Sequence, residues 1–339
     1  MEVQNYKTFS KEWFEKLAQH ISNGYIRVQQ HPTKPLNIYN YTSKAQIEGV
    51  WDEVTRKCRG LVLDTSGNVI IECPEKFFNK GEPNAADIDW LNCSISEKLD
   101  GYYISFKIDY NYGMIITSRG SFDNQYVRAV HKFLDKIIVP KLKLNWTYFC
   151  ELLEDFPGDE GIIVMRHPTP ELVCWAVKDD LYKEHNPSEN GALPFARRLT
   201  RKEMDKYLKD KVEGVVVRDD TTFARVKVKT DWFIKMHAII SNCTEKRVWE
   251  NLRNGIKLED LDIPDELYNQ MRVWENGLRN KYFDEAHYIE DVKEETCNLT
   301  NKEIALNPHI EPRVKSYLFT LRKGDYKKLE EMIWKNIKP

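Results

Sequence analysis

The chain has 339 residues, with 51 Lys+Arg against 53 Asp+Glu for a formal charge of −2, and is 41% hydrophobic and 12% aromatic. That length suits two domains, and the composition excludes a disordered, collagen-like or coiled-coil protein as the whole answer. The near-zero balance also excludes a large basic coat for nucleic acid, while leaving room for a local basic groove.

An opening helix is predicted over Phe9–Ile21, where Phe14, Leu17 and Ile21 recur at helical spacing behind the capping residues Thr8 and Ser10. Strands follow it. Leu61–Leu63 and Val69–Ile71 flank the turn-rich Thr65-Ser66-Gly67-Asn68 and read as a hairpin, and Tyr102–Ile108 and Met114–Ser118 flank a second turn at Asp109–Gly113. Further strands are predicted at Trp146–Leu153, Ile162–Met165, Leu172–Val177, Gly214–Arg218 and Ala224–Val228, rich in β-branched and aromatic residues. Helices fit Asn124–Ile138 and Thr200–Lys211, the second opened by a Thr200/Glu203 capping box. Beyond about Asp231 the strands stop. Phe233–Leu252, Pro264–Tyr282, Thr300–Leu306, Glu311–Leu321 and Asp325–Asn336 read as helices, punctuated by Asn254-Gly255, Pro264 and Pro308. The expectation is an α+β domain over residues 1–238 and an all-helical C-terminal domain over 239–339.

No run approaches 18 apolar residues, and the first residues have neither a basic start nor an apolar core, so a soluble cytoplasmic monomer with no membrane contact is expected. The seven cysteines are scattered without a CxxC pair, which predicts reduced thiols and speaks against a disulfide framework or a zinc site.

Chemistry concentrates in an ordered set of short strings. Ser96-Glu97-Lys98-Leu99-Asp100-Gly101 comes first, followed by Ser118-Arg119-Gly120, Phe149-Cys150-Glu151, Glu213-Gly214 and Val226-Lys227-Val228-Lys229. Each alone is ordinary loop or surface chemistry. Period-two geometry makes them informative together. Lys227 and Lys229 share one strand face, where they repel each other unless an anion lies between them. Glu151 ends an aromatic-apolar run, so its carboxylate needs a hydroxyl, a cation or a hydrated metal.

The set resembles the covalent nucleotidyltransferases, comprising ATP-dependent polynucleotide ligases and RNA capping enzymes. Lys98-Leu99-Asp100-Gly101 matches their KxDG motif, Glu151 the third motif, Glu213-Gly214 the EG motif and Lys227-Val228-Lys229 the terminal KxK, in the family's order. Upstream, Lys57-Cys58-Arg59-Gly60 and Pro74-Glu75-Lys76-Phe77-Phe78-Asn79 resemble the CRG and EKFFN segments of the RNA ligase 1 family, the tRNA-repair ligases of T-even phages. Arg119 departs from the family's Ser-Lys-Gly, keeping the charge but changing the donor geometry. DNA ligases and capping enzymes follow KxK with a β-barrel OB domain; the helical pattern here favours the RNA ligase 1 architecture over those rivals, and the intact Lys98, Glu213 and Lys229 speak against a non-catalytic RNA-binding relative.

The resemblance implies a nucleotidyltransferase domain (ATP-grasp-like ligase) with mixed and antiparallel sheets, using ATP as co-substrate with Mg2+ or Mn2+. It implies Lys98 as the nucleophile that carries AMP, Asp100 fixing its loop, and the Glu97 backbone reading adenine, with Trp175 or Val215 as a face for the base. Gly101 belongs to the same nucleotide-binding motif. Arg59, Lys76 and Arg119 inherit places on the nucleotide, Glu151 and Glu213 on ribose or a metal through water, and Lys227 and Lys229 on the α-phosphate and the departing pyrophosphate. Only a neutral amine attacks, and a lysine of pKa about 10.4 is neutral roughly once in 2,500 at pH 7, so clustered cations are expected to help activate it. The implied partners are RNA 5′-phosphate and 3′-hydroxyl ends, with nicked tRNA a candidate substrate and an end-healing kinase/phosphatase acting upstream. In a virus the compartment would be the host cytoplasm. Residues 195–235 hold twelve Lys+Arg against seven acids, a modest enrichment that predicts a small footprint on RNA and a shallow salt slope.

Overall fold

The computed structural model describes residues 6–134, 139–156, 163–260 and 265–339. The chain divides into two compact units, Met1–Lys235 and Met236–Pro339.

The first unit is built on three sheets whose alternate residues face different layers. Ser10 caps α1 (Lys11–Ser22) by accepting from the Trp13 N–H, and Trp13 and Leu17 form its buried face. Strands β1 (Ile26–Gln30), β2 (Leu36–Tyr41), β3 (Arg59–Asp64) and β4 (Val69–Ile71) make an antiparallel meander, with α2 (Ser43–Ile47) and α3 (Glu53–Lys57) inserted between β2 and β3. Leu61 and Leu63 point to α1 and α3, while Val62, Leu36 and Ile38 point the opposite way. There they meet a second sheet. It follows β5 (Phe78–Asn79) and β6 (Cys93–Lys98) in the chain and consists of β7 (Tyr102–Asp109), β8 (Gly113–Ser118), β9 (Thr147–Leu153), β10 (Glu171–Lys178) and β11 (Glu184–His185), in the order β11-β10-β9-β7-β8. Tyr103, Ile115 and Phe149 face the first sheet, and Ile104, Phe106 and Tyr148 face α4 (Gln125–Val130).

The third sheet completes the unit. β12 (Arg198–Leu199), β13 (Gly214–Asp219) and β14 (Arg225–Lys229) join the two earlier strands in the order β12-β6-β13-β14-β5, antiparallel except for the β14–β5 pair. Ile95, Val215, Val217 and Val226 form its apolar face, covered by Met204 of α5 (Arg201–Tyr207), whose Thr200/Glu203 capping box forms as predicted. The other face is polar and lines the site described below.

Helix α6 (Asp231–Asn242) carries the chain into the second unit. Among the described residues that unit holds helices only: α7 (Glu245–Arg253), α8 (Asp265–Glu295), α9 (Asn301–Leu306), α10 (Pro312–Arg322) and α11 (Tyr326–Asn336). Trp249 packs with Val248, Met271 and Leu278 and donates its indole N–H to the Trp334 carbonyl at 2.8 Å. The α+β class with a helical C-terminal region therefore follows the expectation from sequence. Several boundaries differ, among them the end of α5, predicted at Lys211 and observed at Tyr207. The helix predicted over Phe233–Leu252 is two, because Thr244 caps a new start by accepting from the Arg247 N–H. The one predicted to end at Tyr282 continues to Glu295, because Ile289 and Val292 still find apolar partners. Helix α4 closes at Val130, and the predicted continuation over 135–138, like Pro264, lies outside the described residues. The strand predicted over Ile162–Met165 does not form: residue 162 lies outside the described residues, and 163–165 are a loop in which the Val164 and Met165 N–H groups donate to the Asp100 carboxylate instead of to a neighbouring strand. No described helix is long and apolar enough to cross a membrane.

Candidate active site

The polar face of the third sheet places Ser94, Ser96 and Lys98 of β6 beside Val216 and Arg218 of β13 and Arg225 and Lys227 of β14. Register fixes this: Gly214 pairs with both Lys98 and Lys229, and Val216 pairs with both Ser96 and Lys227. The second sheet contributes Glu151 and Trp175, and the start of β3 contributes Arg59. All line one cavity. Val216, not Val215, faces it; Val215 is fully buried with Ile95 and Leu199 on the opposite face, so it offers no surface to a base.

Glu213 organises the lysines. Its side chain is 4% exposed, and its two oxygens accept from Lys98 Nζ at 2.7 Å and Lys229 Nζ at 3.1 Å. A buried carboxylate between two ammonium groups fixes both in position and is costly to remove. Lys229 also rests 4.7 Å from the Phe233 ring centre. Lys227 points into the cavity, its ammonium 4.9 Å from the Phe77 ring, with the Arg59 guanidinium 5.8 Å from the same ring.

Two glycines make these approaches geometrically feasible. A Cβ on Gly101 would lie 2.6 Å from the Leu152 carbonyl oxygen and 2.9 Å from Glu151 Cγ, so a side chain there would push the Lys98 turn off β9 and away from Glu151. Gly214 has φ +146, and a Cβ would lie 2.1 Å from the Val228 carbonyl oxygen. Gly214→Ala is therefore expected to cost about 3 kcal/mol through forced separation of β13 and β14. Chemical denaturation of the variant reads this as a lowered midpoint, and an unchanged midpoint would contradict the close approach.

Asp100 turns away from the lysine. One of its carboxylate oxygens accepts from the Val164 and Met165 N–H groups at 2.6 and 2.8 Å, and its carbonyl accepts from His167 Nε2 at 2.6 Å, so it ties the Lys98 turn to a neighbouring loop. Burial raises its carboxyl, against those backbone donors. Glu97 lines the cavity, but its side chain accepts from the Arg197 N–H at 2.8 Å and its own N–H donates to the Arg197 carbonyl.

Two groups titrate far from their ordinary values. Burial, reinforced by Glu213 and Asp100 against the pull of Lys98 and Arg59, raises Glu151 to about 7. Burial together with Arg59, Lys98, Lys76 and Lys229 lowers Lys227 to about 7. Near neutrality both groups therefore change charge readily: a polyanion would favour the ammonium form of Lys227, and a cation would favour the carboxylate form of Glu151.

Five residues expected on the nucleotide do not line this cavity: Gly101, Glu213 and Lys229, which adjoin Lys98 or its turn, and Lys76 and Arg119, which stand apart from it. Lys76 stands in an aromatic cage, its ammonium 5.2, 4.6 and 4.9 Å from the Tyr41, Trp51 and Phe78 rings, and the Arg119 guanidinium lies 5.6 Å from Tyr41. The sequence reading counted Arg198, Arg218 and Arg225 only within the basic stretch 195–235 and gave no place to Glu184, yet all four are on the cavity wall. Glu184 holds Arg218 at 2.7 Å and also binds Arg225. Strand parity signals Arg218, two residues beyond Val216; nothing local signals Glu184.

For a divalent ion, Glu151 is the candidate wall carboxylate, since Glu184 is held by Arg218 and Arg225, the Glu97 side chain accepts from the Arg197 N–H, and both oxygens of Glu213 are taken by lysines. Among the described residues no group of three ligating side chains converges, so a bound ion would draw its other ligands from water and a nucleotide's phosphates.

No protein-family model matches the sequence, and no curated protein matches it. Among solved structures, an archaeal ATP-dependent RNA ligase aligns over 77% of this chain and 75% of its own at 11% identity and TM-score 0.46. A putative ATP-dependent DNA ligase from Aquifex aeolicus aligns over 91% and 87% at 14% identity and TM-score 0.41. A mutant RNA ligase of Naegleria gruberi with ATP and Mn aligns over 43% and 52% at 12% identity and TM-score 0.31. At this distance, what the cavity does follows from its own residues.

Proposed function

We propose that the chain is an ATP-dependent RNA ligase that joins RNA 5′-phosphate and 3′-hydroxyl ends through a lysyl-AMP at Lys98. The supporting observation is the ion-paired set Lys98–Glu213–Lys229, whose Lys98 stands on the wall of a cationic cavity that also presents Lys227, Arg59 and Glu151. These residues carry the KxDG, EG and KxK motifs of the resemblance.

In this reading the Lys98 amine, having lost a proton to solvent, forms an N–P bond to the α-phosphorus as the P–O bond to pyrophosphate breaks. Lys227 and Arg59 neutralise the charge that moves onto the departing oxygens, and Glu213 holds the reacting amine in line. An RNA 5′-phosphate oxygen then takes the adenylyl group and returns Lys98 to an amine. A 3′-hydroxyl finally displaces AMP to close the phosphodiester. Glu151 would hold a divalent ion through water, which supplies further neutralisation of phosphate charge when bound. The helices of the second unit, in the place of a β-barrel, support RNA over DNA as the polymer, with that unit contributing to the choice of RNA. A break in a tRNA loop and service in RNA repair are the finer form of the proposal.

The protein incubated with α-labelled ATP should retain label through denaturation, on a peptide containing Lys98, and should gain none from GTP. It should then seal a 5′-phosphorylated RNA more readily than the matching DNA. An adduct absent, or mapped to another lysine, would overturn the assignment.

A further inference from the structure

A second cavity, of about 640 Å3, lies across Phe77 from the first; Phe77, Glu184 and Arg225 line both. Its wall carries seven lysines and arginines against three carboxylates. Their arrangement keeps positive charge in surplus. Glu72, 7% exposed, sits under three ammonium groups at once, Lys7 at 2.8 Å, Lys178 at 3.7 Å and Lys57 at 3.8 Å, and Lys57 reaches Glu75 at 2.7 Å. Glu72 and Glu75 together offset two of the three, leaving one positive charge in surplus, and the burial of Glu72 holds the three ammonium groups close together. Burial lowers Lys178, against the pull of Glu72 and Glu184, so a nearby anion would strengthen its charge. Beside them Arg56 donates to Asn84 at 3.2 Å while its buried Nε finds no acceptor among the described residues.

Aromatic rings interleave with these cations. Phe223, 40% exposed, and Tyr182 both line the cavity, and both hold left-handed backbone, with φ of 60 and 63. Bulky residues rarely adopt that conformation, which costs on the order of 1 kcal/mol and persists where a ring must be presented in one place. Cations tracking a backbone, with rings for successive bases, are the chemistry that recognises single-stranded nucleic acid.

We propose that this second cavity seats the end of a single-stranded polynucleotide, with its phosphates on Lys7, Lys57 and Lys178 and a base against Phe223. The inference rests on the reading of the adjoining cavity as the nucleotide site, because the shared Phe77–Arg225 wall brings the strand's terminal phosphate beside Lys98.

Fluorescence anisotropy of the full chain with a 5′-phosphorylated single-stranded RNA, and with DNA of the same sequence, tests it across a salt series. Phe223→Gly relieves a left-handed phenylalanine and so leaves folding intact, yet it should weaken binding about tenfold, since base–aromatic stacking contributes ~1–3 kcal/mol. The double variant Lys7→Gln/Lys57→Gln should reduce the slope of log affinity against log salt by about 1.4, at ~0.7 for each neutralised phosphate of a single strand. RNA and DNA should respond alike in both variants. Adduct formation from ATP is read in the same preparations and should match wild type. Unchanged affinity and slope beside a normal adduct would overturn this proposal alone; loss of the adduct in wild type, with both variants still weakened, would overturn the reading of the nucleotide site and leave the polynucleotide cavity standing.

Discussion

Glu213→Gln is expected to slow transfer of AMP to the protein by about 100-fold or more, the scale on which a misplaced reacting group loses rate. It should also destabilise the first unit by about 3 kcal/mol, as removal of one partner from a buried ion pair does. The carboxylate binds Lys98 at 2.7 Å through one oxygen and Lys229 at 3.1 Å through the other. A glutamine offers one acceptor and turns its NH2 group toward the second ammonium, so two cations remain close together without the anion between them. Glu213→Asp separates geometry from charge. It keeps the negative charge but shortens the arm by one methylene, so it holds one lysine at a time and should recover stability better than rate. Single-turnover labelling with ATP and urea denaturation measure the two effects, and a Gln variant of normal rate would show that the bridge is purely structural.

Much of the fold was legible because local signals agreed with the tertiary outcome. The Thr65–Asn68 turn sits between apolar runs, and β3 and β4 pair across it. The Thr200/Glu203 box opens α5. Strand β1 left little trace: Ile26-Arg27-Val28-Gln29-Gln30 offers a single apolar–polar alternation, and only Ile26 is buried, as an edge strand allows, with Val28 exposed. Strand β6 also escaped notice, because Ser-Glu-Lys before Leu-Asp-Gly has the look of a turn. Its strand form is imposed by β13, whose residues lie more than a hundred positions downstream. The same limit applies within the site. Period two placed Lys227 and Lys229 on one face, and both are there, but parity could not say that Glu213 would spend both oxygens on lysines. Nor could it say that Tyr41, Trp51 and Phe78, drawn from β2, a loop and β5, would enclose Lys76. Such cages depend on packing between distant segments, which no short window contains.

Lys227→Met should make the protein more stable while abolishing its response to ATP. Burial and the neighbouring Arg59, Lys98, Lys76 and Lys229 hold the Lys227 ammonium down at about 7, from an ordinary 10.5. Between those values the unfolded chain binds a proton that the folded chain has released, so this group's contribution makes stability rise with pH from about 7 to 10.5, and its penalty is fully present below 7. Removing the charge should therefore stabilise the apo protein by on the order of 3 kcal/mol at or below pH 7, with the gain fading toward 10.5. Glu151 behaves in the opposite sense. Raised to about 7 from 4.5, it remains protonated in the folded chain where the unfolded chain has ionised, so its penalty is absent below 4.5 and complete above 7. Glu151→Gln should accordingly stabilise most on the alkaline side. A triphosphate reverses the balance at Lys227, since its charge favours the ammonium form. Binding of ATP at pH 8 should then draw about one proton onto the wild-type protein, read by calorimetry in buffers of different ionisation heat, and none onto Lys227→Met. A wild-type protein that binds ATP without proton uptake would remove Lys227 from the phosphates, whatever the variant's stability.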